Sequence, residues 1–372
     1  MTDPRSASAS PPTSADVARR AGVSRATVSY VLNGAESSAR ISEATRARVH
    51  AAADALGYVP HAAARALRAG ASRMVLMSAP HVPAGPLYAR FAHEAQSALR
   101  LLGYTVAHVA AGAAGDTGIP GVTGIPGVTG DDGGTGASGN EDGTSVDVRA
   151  WAELRPAAAV ALPPTVLTPA DVTLLKRAGT RAVITVGPPR VAGAHSLTMD
   201  QREVGSAAVA HLVERGRRRV GVVVPAEPGL DAFARPRLAG AHAAVAEGSG
   251  GGADVRMTPL PLALTEESAA ALAARWPALG LDAVFAYNDE YAVLLLRALQ
   301  DAGVRVPEDV AVIGADDLLA ARLTRPRLSS VRVEHASGAD FAAYVDELVR
   351  SPGARPRRRR AMTVSVTARD ST

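Results

Sequence analysis

The chain has 372 residues, long enough for more than one domain and a sizeable core, and no cysteine, which excludes disulfides and thiolate metal sites. Forty basic residues against 36 acidic ones leave a formal net charge of +4. The N-terminal MTDPRSASASPPTS has no apolar export core, and no run approaches the roughly 18 apolar residues that span a bilayer, so a soluble, cytoplasmic protein without membrane contact is expected.

Residues 1–12, rich in Ser, Ala and Pro, read as a disordered tail. Thr13 or Ser14 can cap a short helix, with Asp16 three residues after Thr13 as in a capping box, and Val17, Ala18 and Ala21 on its apolar side. Gly22 ends that helix, Val23 plugs the corner, and Ser24 caps a second helix over Arg25–Leu32. Val28, Val31 and Leu32 face inward there, which leaves Arg25, Ala26, Ser29 and Tyr30 outward, and Asn33-Gly34 closes as a turn. Two helices across a glycine corner form a helix-turn-helix, whose second helix lies in a DNA major groove with its N-terminal residues on base edges. The residues expected at DNA are therefore Ser24, Arg25, Ala26, Thr27, Ser29 and Tyr30.

Ser42 can cap a third helix with Val49, Ala52, Ala53 and Leu56 as its stripe and Gly57 as its end, completing a domain over 13–60. After Pro60, His61–Arg68 carries Ala64 and Leu67 on one side and Arg65 and Arg68 on the other, a helix too short to be stable alone. Between Thr13 and Gly70 eight arginines face four carboxylates, a surplus equal to that of the whole chain. A small basic module on a neutral body is the footprint of phosphate binding.

From Arg73 onward strands alternate with helices. The strands are expected at MVLMSAP, TVAHVA, AAVAL, RAVITVG, RRVGVVVP, LDAVFAYN and VAVIGADD, and the helices at Ala89–Leu102, Glu203–Arg215, Pro236–Glu247, Glu266–Arg275 and Glu290–Ala302. So many units exceed one doubly wound sheet, so two α/β lobes are expected over 73–372. At 111–146 the pattern breaks: a glycine falls at every third position from Gly112 to Gly139 and GIPGVT repeats in tandem. The period is collagen-like, but one short chain with two prolines there fits a flexible inserted loop better.

The string DVARRAGVS-x-x-TVS-x-VLNG, followed by ISEATRARVHAAADALGYVP and HAAARALR, resembles the N-terminus of the lactose-repressor (LacI/GalR) family. In the body, SLTMDQREVGSAAVAHLVERGRRRVGVVV, RPRLAGAHAAV and AVFAYNDEYAVLLLRALQDAGVRVPEDVAVIGADD are similar to family segments, SSVRVE to the last crossover, and TVSVTARDST to the C-terminal strand. The resemblance lapses over 111–146. It implies a small all-α helix-turn-helix domain on a two-lobed, periplasmic-binding-protein-like α/β body hinged by three crossovers. It also implies a homodimeric repressor on a near-palindromic double-stranded operator, with a hinge helix at 61–72 whose Ala64, Arg65 and Leu67 meet the minor groove, Leu67 as a wedge. A small-molecule effector such as a sugar would bind between the lobes at Tyr88, Asp200, Arg237, Asn288, Asp289 and Asp316, with no metal and no cofactor. Asp289 also reads as a partial cap of the Glu290 helix, Asp317 as a turn or cap residue, and Arg357–Arg360 as a solvated loop.

The departures bear on ligand and operator. Tyr30 stands where relatives often carry a base-reading arginine or histidine. Gly187 replaces an acidic pocket residue, and PLPLAL leaves only Leu262 or Leu264 for the usual aromatic floor. A ligand-independent DNA-binding regulator with a vestigial cleft is the alternative reading. An enzyme is disfavoured, since GxxxxGK[ST], GxGxxG after a strand, HExxH and GxSxG are all absent from the sequence.

Overall fold

A computed structural model describes residues 12–33, 41–59, 72–79, 85–110, 147–163, 165–187, 190–248 and 255–372. Residues 1–11 of the expected tail, the hinge helix with Ala64, Arg65 and Leu67, and the insert 111–146 lie outside the described residues. The chain divides into two units, Met1–Arg73 and Met74–Thr372.

The first unit holds α1 (Ser14–Ala21), α2 (Arg25–Asn33) and α3 (Glu43–Leu56). Thr13 Oγ1 accepts from the Asp16 N–H, and the Asp16 carboxylate accepts from the Thr13 N–H at 2.9 Å, so the capping box satisfies two orphan donors. Gly22 takes φ +66° at the corner, a conformation that strains a residue with a Cβ. Ser24 Oγ accepts from Thr27 N–H at 3.1 Å, and Ser42 Oγ from Thr45 N–H at 3.3 Å, starting the next two helices. Val17, Val28 and Val49, one from each helix, are fully buried and centre a core with Ala18, Ala21, Val31, Ala52 and Ala53. Each buried valine stabilises the unit by about 1.5–3 kcal/mol.

The second unit has two lobes. The first begins with β1 (Met74–Ala79), α4 (Gly85–Leu101), β2 (Thr105–Ala110), α5 (Val148–Glu153), β3 (Ala158–Ala161), α6 (Pro169–Arg177), β4 (Ala182–Val186) and β5 (His195–Thr198). The chain crosses at Met199-Asp200 to α7 (Gln201–Glu214), β6 (Arg219–Pro225), α8 (Asp231–Gly248), β7 (Arg256–Leu262), α9 (Glu266–Ala274) and α10 (Trp276–Leu279). That lobe continues through β8 (Ala283–Phe285), α11 (Asp289–Asp301), β9 (Ala311–Ala315), α12 (Leu319–Leu323) and β10 (Ser329–His335). It returns through Ala336-Ser337 to α13 (Gly338–Arg350) and β11 (Arg358–Arg360), then passes Ala361 into β12 (Met362–Thr367). The crossovers are three, as the resemblance implies.

The first sheet is parallel, in the order β11-β5-β4-β3-β1-β2. Val75 and Met77 face α4 and α13, while Leu76 faces α5 and α6, the alternation of a strand buried on both sides. The second sheet runs β12-β10-β9-β8-β6-β7, with β12 alone antiparallel to its neighbour. Helices α7 and α8 cover one of its faces and α9 and α11 the other. Gly205 of α7 faces the Arg237 backbone, and Gly240 of α8 faces that of Arg202, so the two helices cross almost backbone to backbone.

Two expectations are corrected. Helix α8 starts at Asp231, five residues before Pro236. The Leu230 carbonyl accepts from Phe233 and Ala234 N–H groups at 3.0 and 2.9 Å, and Leu230 and Ala234 bury there, so the turn closes upstream. Pro236 is carried in the second turn, where it merely gives the Ala232 carbonyl no N–H. Residues Arg358–Arg360 are exposed, as expected, but form an edge strand and not a loop: the Arg357 carbonyl accepts from Ser196 N–H and Ala361 N–H donates to the Thr198 carbonyl, both at 2.9 Å. Their side chains are engaged, Arg358 with Thr198, Arg359 over the Tyr344 ring and Arg360 with Glu203.

Candidate recognition helix and interlobe cleft

Helix α2 presents its sequence-expected outer face to solvent. Ser24, Arg25 and Ala26 are exposed, Tyr30 is 45% exposed, and Thr27 and Ser29 are half-buried. The inner face is fixed by Val28 and Val31 in the three-helix core. Ser24 and Thr27 also bond one another through their hydroxyls at 2.9 Å, so part of their capacity serves the helix start. Arg25 at the first turn offers a five-donor fork suited to guanine or phosphate.

In the second unit a cleft opens between the lobes. Its first-lobe wall comes from Tyr88 and Phe91 on α4, the segment after β3 (Leu162, Pro163, Thr165, Val166) and the end of β4 (Val186, Gly187). Ligand sites in open α/β sheets lie at these carboxyl ends of strands. Met199 and Gln201 line the crossover, and Ala232 and Phe233 of α8 supply the second-lobe wall. Burial pushes the Tyr88 phenol up to about 12.

Of the expected effector residues only Tyr88 lines this cleft. Asp200 is the N-cap of α7, accepting from Arg202 N–H at 3.1 Å. Asn288 caps α11 through Tyr291 N–H at 3.1 Å, so the capping role belongs to Asn288 and not to Asp289. Asp289 is fully buried, and its two oxygens accept from the Ser330 hydroxyl and the Leu318 N–H, both at 2.6 Å. Burial pushes its carboxyl up to about 7, against the pull of those two donors. Arg237 is buried behind the wall: its Nε donates to Gln201 at 2.9 Å and its Nη1 to the Tyr287 carbonyl, its Nη2 lies 3.6 Å from Asp316, and its guanidinium sits over the Tyr287 ring. Its Nε and Nη1 are thus engaged by the protein, with Nη2 turned to Asp316. Burial raises the Asp316 carboxyl, and Arg237 opposes that rise. Asp317 is a hub for Arg332 and Arg369, which hold its carboxyl low against burial, in keeping with a structural reading.

Several lining residues were missed in the sequence. Gln201 follows Asp200 directly, and Phe91 lies one helical turn after Tyr88, a spacing that could have revealed it. Phe233 was hidden by the expected helix start at Pro236. The aromatic floor comes from Phe233 and not from PLPLAL, whose Leu262 is in the core and whose Leu264 is exposed. Among the described residues no group of His, Asp or Glu has metal-holding geometry, and no helix is long and apolar enough to cross a membrane.

A helix-turn-helix unit carried with a two-lobed, clefted α/β body defines the class of DNA-binding transcriptional regulators. The profile described as bacterial regulatory proteins, lacI family, matches residues 13–61, and that of a periplasmic binding protein-like domain matches 209–372. The chain is similar to the HTH-type transcriptional regulator GalR of Escherichia coli K12, at 30% identity over 333 residues, covering 88% of this chain and 86% of that protein. It is also similar to GntR of Pseudomonas aeruginosa, at 31% identity over 327 residues, 86% and 84% of the two chains. The chain belongs to the LacI family of bacterial regulatory proteins. Its fold matches the crystal structure of the lac repressor dimer bound to operator and the anti-inducer ONPF, with TM-score 0.70 and 20% identity, over 98% of this chain and 99% of that one.

Proposed function

We propose that this protein is a homodimeric repressor of the cytoplasm that binds a near-palindromic operator through α2 and is switched by a small molecule in the interlobe cleft. The domain 13–60 reads the major groove, 61–72 joins it to the body as a hinge, and 73–372 carries dimerisation and ligand binding. Binding, not turnover, is its chemistry. The reading rests above all on the outer face of α2, where Arg25 and Tyr30 stand exposed on a helix whose opposite face is locked into the core. Two-fold half-sites follow from one such helix per chain in a dimer. GalR and GntR are named as transcriptional regulators, and a solved relative is a dimer on operator, which supports the same reading.

The test is selection of DNA from a random pool by the purified chain, followed by binding of the selected fragment to Arg25→Ala. A loss of about 1–3 kcal/mol confined to one base pair of each half-site is expected if Arg25 grips a guanine. Uniform weakening on all sequences would make it a phosphate contact, and unchanged affinity would remove α2 from the interface.

A further inference from the structure

The outer face of α2 carries a second kind of chemistry beside Arg25. Val28 and Val31 are buried in the three-helix core, and Leu32 packs against it. An α-helix turns about 100° per residue, so the direction opposite those three side chains falls between Ala26 and Tyr30. Both are exposed, and they stand one turn apart, about 6 Å along the axis. Arg25 and Ser29 flank this strip on one side and Thr27 on the other. The side chains turned most directly away from the core are therefore a methyl group and a phenol ring, with the Arg25 cation beside them.

That strip is poorly matched to hydrogen-bonding base edges. The Ala26 side chain has no donor or acceptor, so against guanine, adenine or cytosine it would displace water and return no bond. The major groove offers one apolar group, the thymine C5-methyl, and there the Ala26 methyl gains by leaving water with it. The Tyr30 ring has the same need along its edge, while its hydroxyl at the far end can stay in contact with water. Base pairs rise about 3.4 Å each, so two side chains about 6 Å apart reach pairs about two steps apart.

Resting on the reading of α2 as the recognition helix, we propose that Ala26 and Tyr30 read thymine C5-methyl groups. Each half-site then carries two thymines about two base-pair steps apart beneath this strip. Tyr30 is the specificity-determining member: an arginine there would present a five-donor fork to the same pair and select guanine.

The experiment uses the full chain and the DNA fragment it selects from a random pool. Each thymine is replaced in turn, in both half-sites together, by deoxyuridine, which lacks only the C5-methyl. The thymine methyl lies in the major groove, so the replacement leaves any minor-groove contact untouched. Two positions should each weaken binding about threefold to fourfold per methyl, and so roughly tenfold over the two half-sites. Tyr30→Phe should keep both effects, and Tyr30→Ala should abolish one and leave the other. Tyr30 is exposed, so these variants leave the core of the first unit intact. Selection repeated with Tyr30→Arg should return guanine at the pair beneath that residue. Deoxyuridine without effect at every thymine, with Arg25→Ala still weakening binding, overturns the methyl contacts and leaves α2 as the recognition helix. Should Arg25→Ala leave affinity unchanged as well, both readings fall. Deoxyuridine effects undiminished in Tyr30→Ala overturn the role of Tyr30. Weakening of Tyr30→Phe by the same factor on every sequence overturns it too, since the phenol would then be a phosphate contact.

Discussion

Substituting Gly205 by Ala tests the helix crossing on which the second-lobe wall depends. The added Cβ would lie 2.6 Å from the Arg237 carbonyl carbon and nearer still to its oxygen. Carbon atoms rest at about 3.5–4.0 Å, so α7 and α8 must part by about 1 Å. The obstruction is backbone, and no rotamer change relieves it. Such overpacking typically costs 1–3 kcal/mol, and a rigid helix pair puts this site at the upper end. Better helix propensity of Ala offsets only about 0.5–1 kcal/mol. A net loss of about 2 kcal/mol is therefore expected in urea unfolding, read as a lower midpoint at unchanged slope. The displacement also moves Arg237 away from Gln201, which lies one turn before Gly205 on α7. Equal or greater stability in Gly205→Ala would mean that propensity alone governs the site and that the crossing is looser than described.

Asp289 predicts a pH effect of definite sign. Its folded carboxyl titrates near 7 and its unfolded one near 3.8, so the folded state holds the extra proton between those values and stability falls as pH rises from about 4 to 7. Asp289→Asn should flatten that slope by a few kcal/mol in urea midpoints taken at pH 5 and pH 8, whereas a slope equal to the parent would mean that the carboxyl is not proton-binding there. Thr13→Ala removes the hydroxyl of the capping box and should cost the first unit about 1 kcal/mol, seen as faster amide exchange in α1; unchanged exchange would show the box to be ornamental.

The first unit was legible almost residue by residue because its signals are local. Caps, a glycine corner and helical spacing of valines act within a turn or two, and each appears where expected, from the Thr13–Asp16 box to Gly22 and Ser42. The two lobes were legible as alternating strands and helices, though Pro236 misled, since a proline is a breaker only when no upstream turn closes first. The cleft was harder. Arg237 and Asp316 are polar, placed at strand and helix ends, and look like ligand groups. Whether they face a ligand or each other depends on a crossing distance set by Gly205 and Gly240, which no local pattern encodes. Similarly, four successive arginines look like a loop until β5 offers an unpaired edge along which three of them extend, still exposed.

The position of the cleft bears on how a ligand could act. Met199 and Gln201 flank Asp200 at the first crossover, and His335 closes β10 at the second. Ala361, at the third, lines with Met199 and His335 a small cavity beside the cleft. A molecule lying between Tyr88 and Phe233 beside Met199 touches both lobes and the first connection between them. Its contacts cannot then be equally good at every lobe angle, and only such differential affinity shifts a conformational equilibrium. Coupling of about 1–3 kcal/mol, typical of linked sites, would change operator affinity roughly 5–150-fold. A regulator with a vestigial cleft has a different physical expectation. A larger side chain at Ala232 would fill the space, bury Phe91 and Phe233 more completely, and stabilise the body by about 25 cal/mol for each Å2 of apolar surface removed from water. Instead the cleft keeps an aromatic wall on each lobe, Tyr88 and Phe91 on one and Phe233 on the other, and a ligand there would remove that apolar surface from water.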